Sequence, residues 1–235
     1  MTDSPPISAL LLGTPGLDCP PHDCQLCPRL AAFRQANFQA NRGTNPGWHN
    51  APVASFGGLD ASLLVVGLAP GLKGANRTGR PFTGDYAGDL LYAGLNKSGF
   101  STGTYDARAD DGLRLIDCRI TNAVRCVPPE NKPLSTETAA CRPFLTAEIA
   151  AMPNLRVLMA LGKVAHDAVI RSFGVKLKNH PFGHGAVHTL PGGPAGNLTL
   201  ADSYHCSRYN TQTRRLTERM FFDVLARIRG ILDRF

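Results

Sequence analysis

Short, mainly apolar runs, five or six residues long and separated by helix-length segments, constrain this chain more than any other feature. Leu63-Leu64-Val65-Val66-Gly67-Leu68 is too short for an independent helix and too continuous for a strand with one wet face. It reads as a strand buried on both sides, running into the loop that starts at Ala69-Pro70-Gly71. Segments 119–124 and 156–161 repeat the pattern, and 198–204 alternates enough to be a fourth strand. Helical periodicity fills 25–38, 86–96, 135–150 and 162–173. A closing amphipathic helix spans 213–234, with Leu216, Met220, Val224, Ile228 and Leu232 as its core stripe. Strands alternating with helices predict an α/β fold: a parallel sheet covered on both faces, with its functional loops at the carboxyl ends of the strands.

The chain has 235 residues, 43% of them apolar, which is enough for one sizeable core. Residues 1–18, rich in proline and small side chains, read as a loosely ordered arm, and 19–235 as a single domain. Lysine and arginine number 25 against 18 acidic residues, a formal charge of +7 that favours a polyanionic partner. No run of eighteen apolar residues appears, and the first residues lack the basic region of a secretory signal, so the expected compartment is the cytoplasm, away from membranes. Seven cysteines in such a chain argue against a disulfide framework and leave metal binding, catalysis or burial.

Cys24-Gln25-Leu26-Cys27 is a C-x2-C pair that can place two sulfurs on one metal. Cys126 and Cys141, with fourteen residues between them that include Pro128-Pro129-Glu130-Asn131-Lys132-Pro133, could complete a four-thiolate set. Such a set selects zinc or an iron–sulfur cluster. Cys19 and Cys118 are rival ligands by spacing alone. The stretch 67–85, Gly-Leu-Ala-Pro-Gly-Leu-Lys-Gly-Ala-Asn-Arg-Thr-Gly-Arg-Pro-Phe-Thr-Gly-Asp, leaves a strand and lets backbone amides approach a flat ligand or an anion. It matches neither a P-loop nor a dinucleotide fingerprint.

That loop, with Ile120-Thr121-Asn122-Ala123-Val124-Arg125-Cys126, the proline-flanked segment 128–133 and Ser203-Tyr204-His205-Cys206-Ser207-Arg208-Tyr209-Asn210-Thr211-Gln212-Thr213, resembles family 5, the B-type uracil-DNA glycosylases. The likeness spans about 22–230. It implies a three-layer α/β/α fold with a central four-stranded parallel sheet, and a [4Fe-4S] cluster on Cys24, Cys27, Cys126 and Cys141. It also implies hydrolysis of the N-glycosidic bond of uracil, and of other deaminated bases, in single- or double-stranded DNA. The expected form is a monomer. Four thiolates around a 2+ core would lower the net charge to about +5. Where the superfamily commonly carries an acidic or amide side chain, this sequence has Ala69, and the resemblance moves the water-positioning role to Asp85.

Acting on a base inside a duplex requires flipping the nucleotide into a pocket that reads its edge. Phe82 suits the stacking platform and Asn122 the edge, because one amide can pair with both O4 and N3–H of uracil. Ala69 belongs to the same pocket. His205 can donate to the departing base at O2 while Asp85 orients water and faces the cationic sugar; Asn131 is a second candidate for the water. Ser207, Arg208 and Tyr209 are expected at the DNA backbone or in the gap left by the flipped nucleotide, and Arg77, Arg80, Arg214 and Arg215 extend the basic surface. Two rival classes are a non-catalytic iron–sulfur protein that binds or senses damaged DNA, and a nucleotide-binding α/β protein with structural zinc.

Overall fold

A computed structural model describes residues 19–235; the expected arm, 1–18, lies outside the described residues. In chain order the elements are α1 (Pro28–Asn41), β1 (Leu63–Gly67), α2 (Ala75–Thr78), α3 (Tyr86–Lys97), β2 (Ser101–Thr102), β3 (Arg114–Leu115), β4 (Cys118–Asn122), α4 (Ser135–Ala150), β5 (Val157–Leu161), α5 (Lys163–Ser172), β6 (Val187–Gly193), β7 (Gly196–Ser203), α6 (Arg208–Gln212) and α7 (Glu218–Leu232). The main sheet runs β4-β1-β5-β7-β6. Its first four members are mutually parallel, and they are the four strands read from the sequence.

The fifth strand, β6, pairs antiparallel with β7 at the sheet edge, so the expected four-stranded sheet is extended by one. Its sequence, Val-His-Thr-Leu-Pro-Gly-Gly, carries a proline and two glycines that break the strand pattern, and an edge position tolerates both. Two boundaries also move. Pro28, suited to a first turn, starts α1 after the C-x2-C pair and leaves those cysteines in the preceding loop. Thr217 accepts from the Met220 amide and starts α7, while 208–212 forms a separate short helix.

Successive strand residues supply opposite faces of the sheet. Leu63, Val65, Ile120, Met159 and Ala201 pack with Leu91, Leu95, Phe221 and Ile228 of α3 and α7. Leu64, Val66, Leu158, Ala160 and Leu200 pack with Leu145, Ile149, Ala165 and Val169 of α4 and α5. The period of two thus feeds two cores, and three layers follow. Among the described residues, no helix is long and apolar enough to cross a membrane.

Charge is also buried beside the sheet. Glu148 of α4, fully buried, accepts from Arg119 Nε at 2.7 Å and Arg125 Nη2 at 2.6 Å. Burial opposes ionisation of this carboxyl, yet the two guanidiniums outweigh it and hold its pKa below the usual carboxylate range. A depressed folded-state pKa contributes stability above the unfolded pKa that is lost as pH falls through the folded one. Glu148→Gln should therefore cost about 3–5 kcal/mol in urea unfolding at neutral pH, by leaving two cations short of their shared anion. The loss should shrink on acidification. A cost under about 1 kcal/mol would mean that the three groups are satisfied without the charge.

Candidate functional site

The carboxyl ends of β1, β4 and β7 deliver their loops to one narrow cleft. Ala69, Phe82, Asp85, Asn122 and His205, far apart in sequence, all line it, together with Pro70, Gly71, Ala75 and Ala87. Parallel pairing sets Gly67 opposite Asn122 at the ends of β1 and β4. A Cβ on Gly67 would collide with the Asn122 amide oxygen and the Phe82 ring, so its hydrogen is the condition for both to sit there.

Phe82 takes a left-handed backbone conformation, φ 53°, uncommon for an aromatic residue. Its surroundings fix it. Tyr105 Oη donates to the Phe82 carbonyl at 3.2 Å and accepts from the Gly84 amide at 3.3 Å, while Tyr92 Oη donates to the Pro81 carbonyl at 2.7 Å. The two tyrosine rings stack at 4.6 Å. Arg80 lies under them, paired through both Nη atoms with Asp111 at 2.7 and 2.6 Å, and its Nε donates to Thr83 Oγ1. This corrects the expectation that Arg80 belongs to the basic surface: it is 5% exposed and braces the loop from inside.

Asp85 precedes α3 at its N-cap and packs against Gly71 and Gly74, where added side chains would strike its carboxylate. Burial raises its pKa above the usual carboxylate range. The amides of Ala87 and Gly88 offset part of that rise without reaching a capping hydrogen bond, and the buried Oδ1 has no hydrogen-bond partner among the described residues. A half-buried carboxylate with a spare oxygen beside a cleft can hold a water or face a cation. His205 lies across from it, its ring at 5.9 Å and 29° from that of Phe82. Burial lowers the His205 pKa to about 4, so the imidazole is neutral near pH 7 and carries one N–H. The Asn210 side chain donates to the His205 carbonyl at 2.8 Å and pins the turn, and Cys206 fills the core beneath it.

The other expected residues lie on the rim or farther out. Ser207 caps α6 by accepting from the Asn210 amide, Arg208 sits 5.3 Å over the Tyr86 ring next to Asp85, and Tyr209 is 71% exposed. Arg77 is exposed, with Nε donating to the Lys73 carbonyl. Arg215 lies over the Tyr204 ring, and Arg214 is exposed. Asn131 is exposed on the 3-10 turn Pro129–Asn131, outside the lining of the cleft. Tyr92, Tyr105 and Asp111 lie outside every motif, and within the 67–85 loop the sequence does not set the structural roles of Gly67 and Arg80 apart from those of their neighbours. The one hint is that the apolar β1 run ends on a glycine.

A second, small hollow is lined by Cys24, Cys27, Cys126 and Cys141 among Leu26, Leu30, Val124 and Phe144. Burial and then the neighbouring Cys141 push the Cys27 thiol up to about 11; burial likewise pushes Cys126 up to about 12, with Cys141, Cys24 and Cys27 adding to it. Soft donors gathered in one apolar hollow, three of which (Cys27, Cys126 and Cys141) resist ionisation chiefly through burial, fit a cationic metal centre, which relieves that penalty. Arg29 braces the wall through Glu137, at 2.7 and 2.8 Å. Of the rival ligands, Cys118 is buried in the core on the α3 and α7 face of the sheet, and Cys19 is half-buried outside the lining of the hollow. Ala69 packs against the cysteine cluster and also lines the cleft, so the two hollows share a wall.

Residues 54–229 match the model of the uracil DNA glycosylase superfamily. A type-5 uracil-DNA glycosylase of Thermus thermophilus is 47% identical over 205 residues, covering 86% of this chain and 90% of that protein. One from Mycobacterium bovis is 40% identical over 206 residues, covering 86% of this chain and 75% of its own. A type-4 uracil-DNA glycosylase of Thermotoga maritima is 40% identical over 114 residues, about half of each chain. With the family model covering most of the chain and the type-5 relatives matching 86% of it, this chain belongs to the uracil-DNA glycosylase superfamily, in its type-5 branch.

Proposed function

We propose that the protein hydrolyses the N-glycosidic bond of uracil in DNA, releasing the base and leaving an abasic site. The observation that carries this reading is the convergence of Asp85, Phe82, Asn122 and His205 on one cleft at the carboxyl ends of the strands. The type-5 relatives carry the same activity in their names.

The flipped base stacks on Phe82 and pairs its O4 and N3–H with the Asn122 amide. As the C1′–N1 bond breaks, its electron pair goes to the base, and the neutral His205 donates its N–H to O2, where negative charge gathers. Asp85 faces the sugar, which turns cationic, and its spare oxygen orients the water that adds to C1′ and takes the proton that water gives up. Ala69 presents a methyl group to this pocket, leaving room that suits other deaminated bases. Arg77, Ser207 and Arg208 meet phosphates of single- or double-stranded DNA, and the exposed Tyr209 fills the space vacated by the base. Asn131, on its exposed turn, is the reserve candidate for positioning water from the DNA side.

Cys24, Cys27, Cys126 and Cys141 would hold a [4Fe-4S] cluster, which when bound supplies a covalent tie between the N-terminal loop and the segments after β4. The donor set and the apolar hollow support this assignment. Single serine substitutions at these four positions should abolish absorbance near 400 nm and lower thermal stability, while Cys118→Ser and Cys206→Ser keep the colour. A colourless Cys118 variant would overturn the ligand set.

Phe82→Ala should weaken binding of the flipped base by about 1–3 kcal/mol, the scale of one lost stack. Asn122→Ala should cost more on uracil than on a base with a different edge. Equal losses on uracil and hypoxanthine would make Asn122 a support for its loop.

Asp85→Asn keeps size and removes charge, so single-turnover cleavage of a uracil-containing oligonucleotide should fall far more than DNA binding. His205→Ala should cost about 2.7–4 kcal/mol in the barrier, as for one lost oxyanion donor. The pH profile follows from the two shifts. Asp85 acts ionised and its pKa is raised, so the rate should climb with pH through a point above the ordinary carboxylate range. His205, neutral above about 4, should add no limb near neutrality. Unimpaired cleavage by Asp85→Asn would reject its role and move the water to Asn131.

A further inference from the structure

The same end of the sheet holds a second cluster of ligating side chains, away from the cleft. His166 of α5, His188 of β6 and Asp202 of β7 bring one donor atom each to within 4.8 Å of one another. His166 is 1% exposed and Asp202 fully buried, while the His188 side chain keeps 12% of its surface. Three elements thus converge on a buried carboxylate, whose charge has to be met by a proton on His166 or by a metal cation.

Two details of the geometry specify which kind of cation fits. His166 Nε2 donates to the His180 carbonyl at 2.8 Å, which fixes the ring and turns Nδ1 toward Asp202, 2.8 Å away. Orienting a ligating imidazole through its far nitrogen and a backbone carbonyl is a usual outer-shell arrangement at metal sites. His188 Nε2 lies 3.4 Å from the other Asp202 oxygen, yet it is buried and forms no hydrogen bond. It stands close to the carboxylate without being aligned on it, as ligand atoms do when they face a common point. The His166 and His188 rings cross at 67° with centroids 5.5 Å apart, which separates their lone pairs.

We propose that His166 Nδ1, His188 Nε2 and an Asp202 carboxylate oxygen form a second metal site, distinct from the four cysteines, that takes one divalent ion of the zinc class. Two imidazoles and a carboxylate are a borderline-soft set that suits zinc, with a fourth position for water on the exposed side of His188. Binding displaces the proton shared by His166 and Asp202, so that proton is the ion's competitor for the gap. Asp202 lies three residues before His205, and the ion would fasten α5 and β6 to the strand that leads into that turn.

The test uses the full chain with its iron content measured. Wild-type protein dialysed against zinc should retain one zinc per chain beyond its iron. Its zinc K-edge absorption should show nitrogen and oxygen scatterers at about 2.0–2.1 Å and no sulfur. His188→Gln, at the most exposed ligand, should lose that zinc while keeping its iron and its fold by circular dichroism. Zinc should raise the melting temperature of the wild type and leave the variant unchanged. Zinc with sulfur scatterers at about 2.3 Å would place the ion among the cysteines and overturn the proposal. So would an absence of zinc combined with a His166 ring that nitrogen NMR finds protonated on both nitrogens. Neither outcome depends on uracil cleavage, so failure of this site and failure of the proposed activity remain distinguishable.

Discussion

The site hangs on a missing side chain at the end of β1. The space that a Cβ of Gly67 would fill is taken by the Asn122 amide oxygen from one side and the edge of the Phe82 ring from the other. Parallel register sets Asn122 there, since β4 pairs with β1 residue for residue up to that position. The loop after β1 then doubles back to place Phe82 and Asp85 against the same ends. Any larger residue at 67 would drive the Asn122 amide and the Phe82 ring out of these positions.

The cysteine hollow and the cleft are parts of one construction. Val124, Cys126 and Cys141 gather on one side of Ala69, and the cleft opens on the other. Backbone bonds from Ala123 to the Gly67 carbonyl and from Val124 to the Leu68 carbonyl carry β4 onward along the β1 loop. Glu148 and Cys141 sit two turns apart on α4. The first holds Arg119 and Arg125, and the second accepts from the Arg125 amide at 3.4 Å. What stiffens the cysteine side therefore also stiffens the wall of the cleft.

β1 and β5 were the most legible strands because burial on both faces leaves unbroken apolar runs, Leu-Leu-Val-Val-Gly and Val-Leu-Met-Ala-Leu, and those runs set the layer order. The edge strand was not legible, because solvent on one side tolerates Pro191 and two glycines that erase the pattern. Residues carried in motifs could be read as neighbours: Asp85, Phe82, Asn122 and His205 come from three loops and do meet. Their supports could not, because a tyrosine hydroxyl bonding a carbonyl 11 or 23 residues away leaves no periodic trace. Arg80 shows the limit most clearly, since in sequence it resembles Arg77 and only burial separates a brace from a surface charge.

The backbone of Phe82 carries one more consequence. Holding an aromatic residue in the left-handed region costs about 1–3 kcal/mol, and that cost is met in the free protein by the hydroxyls of Tyr92 and Tyr105. The ring is therefore preorganised. In the role proposed for Phe82, an incoming base would not have to order the ring, and the binding free energy that ordering would have consumed would stay available for drawing the nucleotide out of the helix. Selectivity among bases would then be set by the fit to an unyielding surface, with poorly stacked DNA lesions favoured because they leave the duplex at least cost.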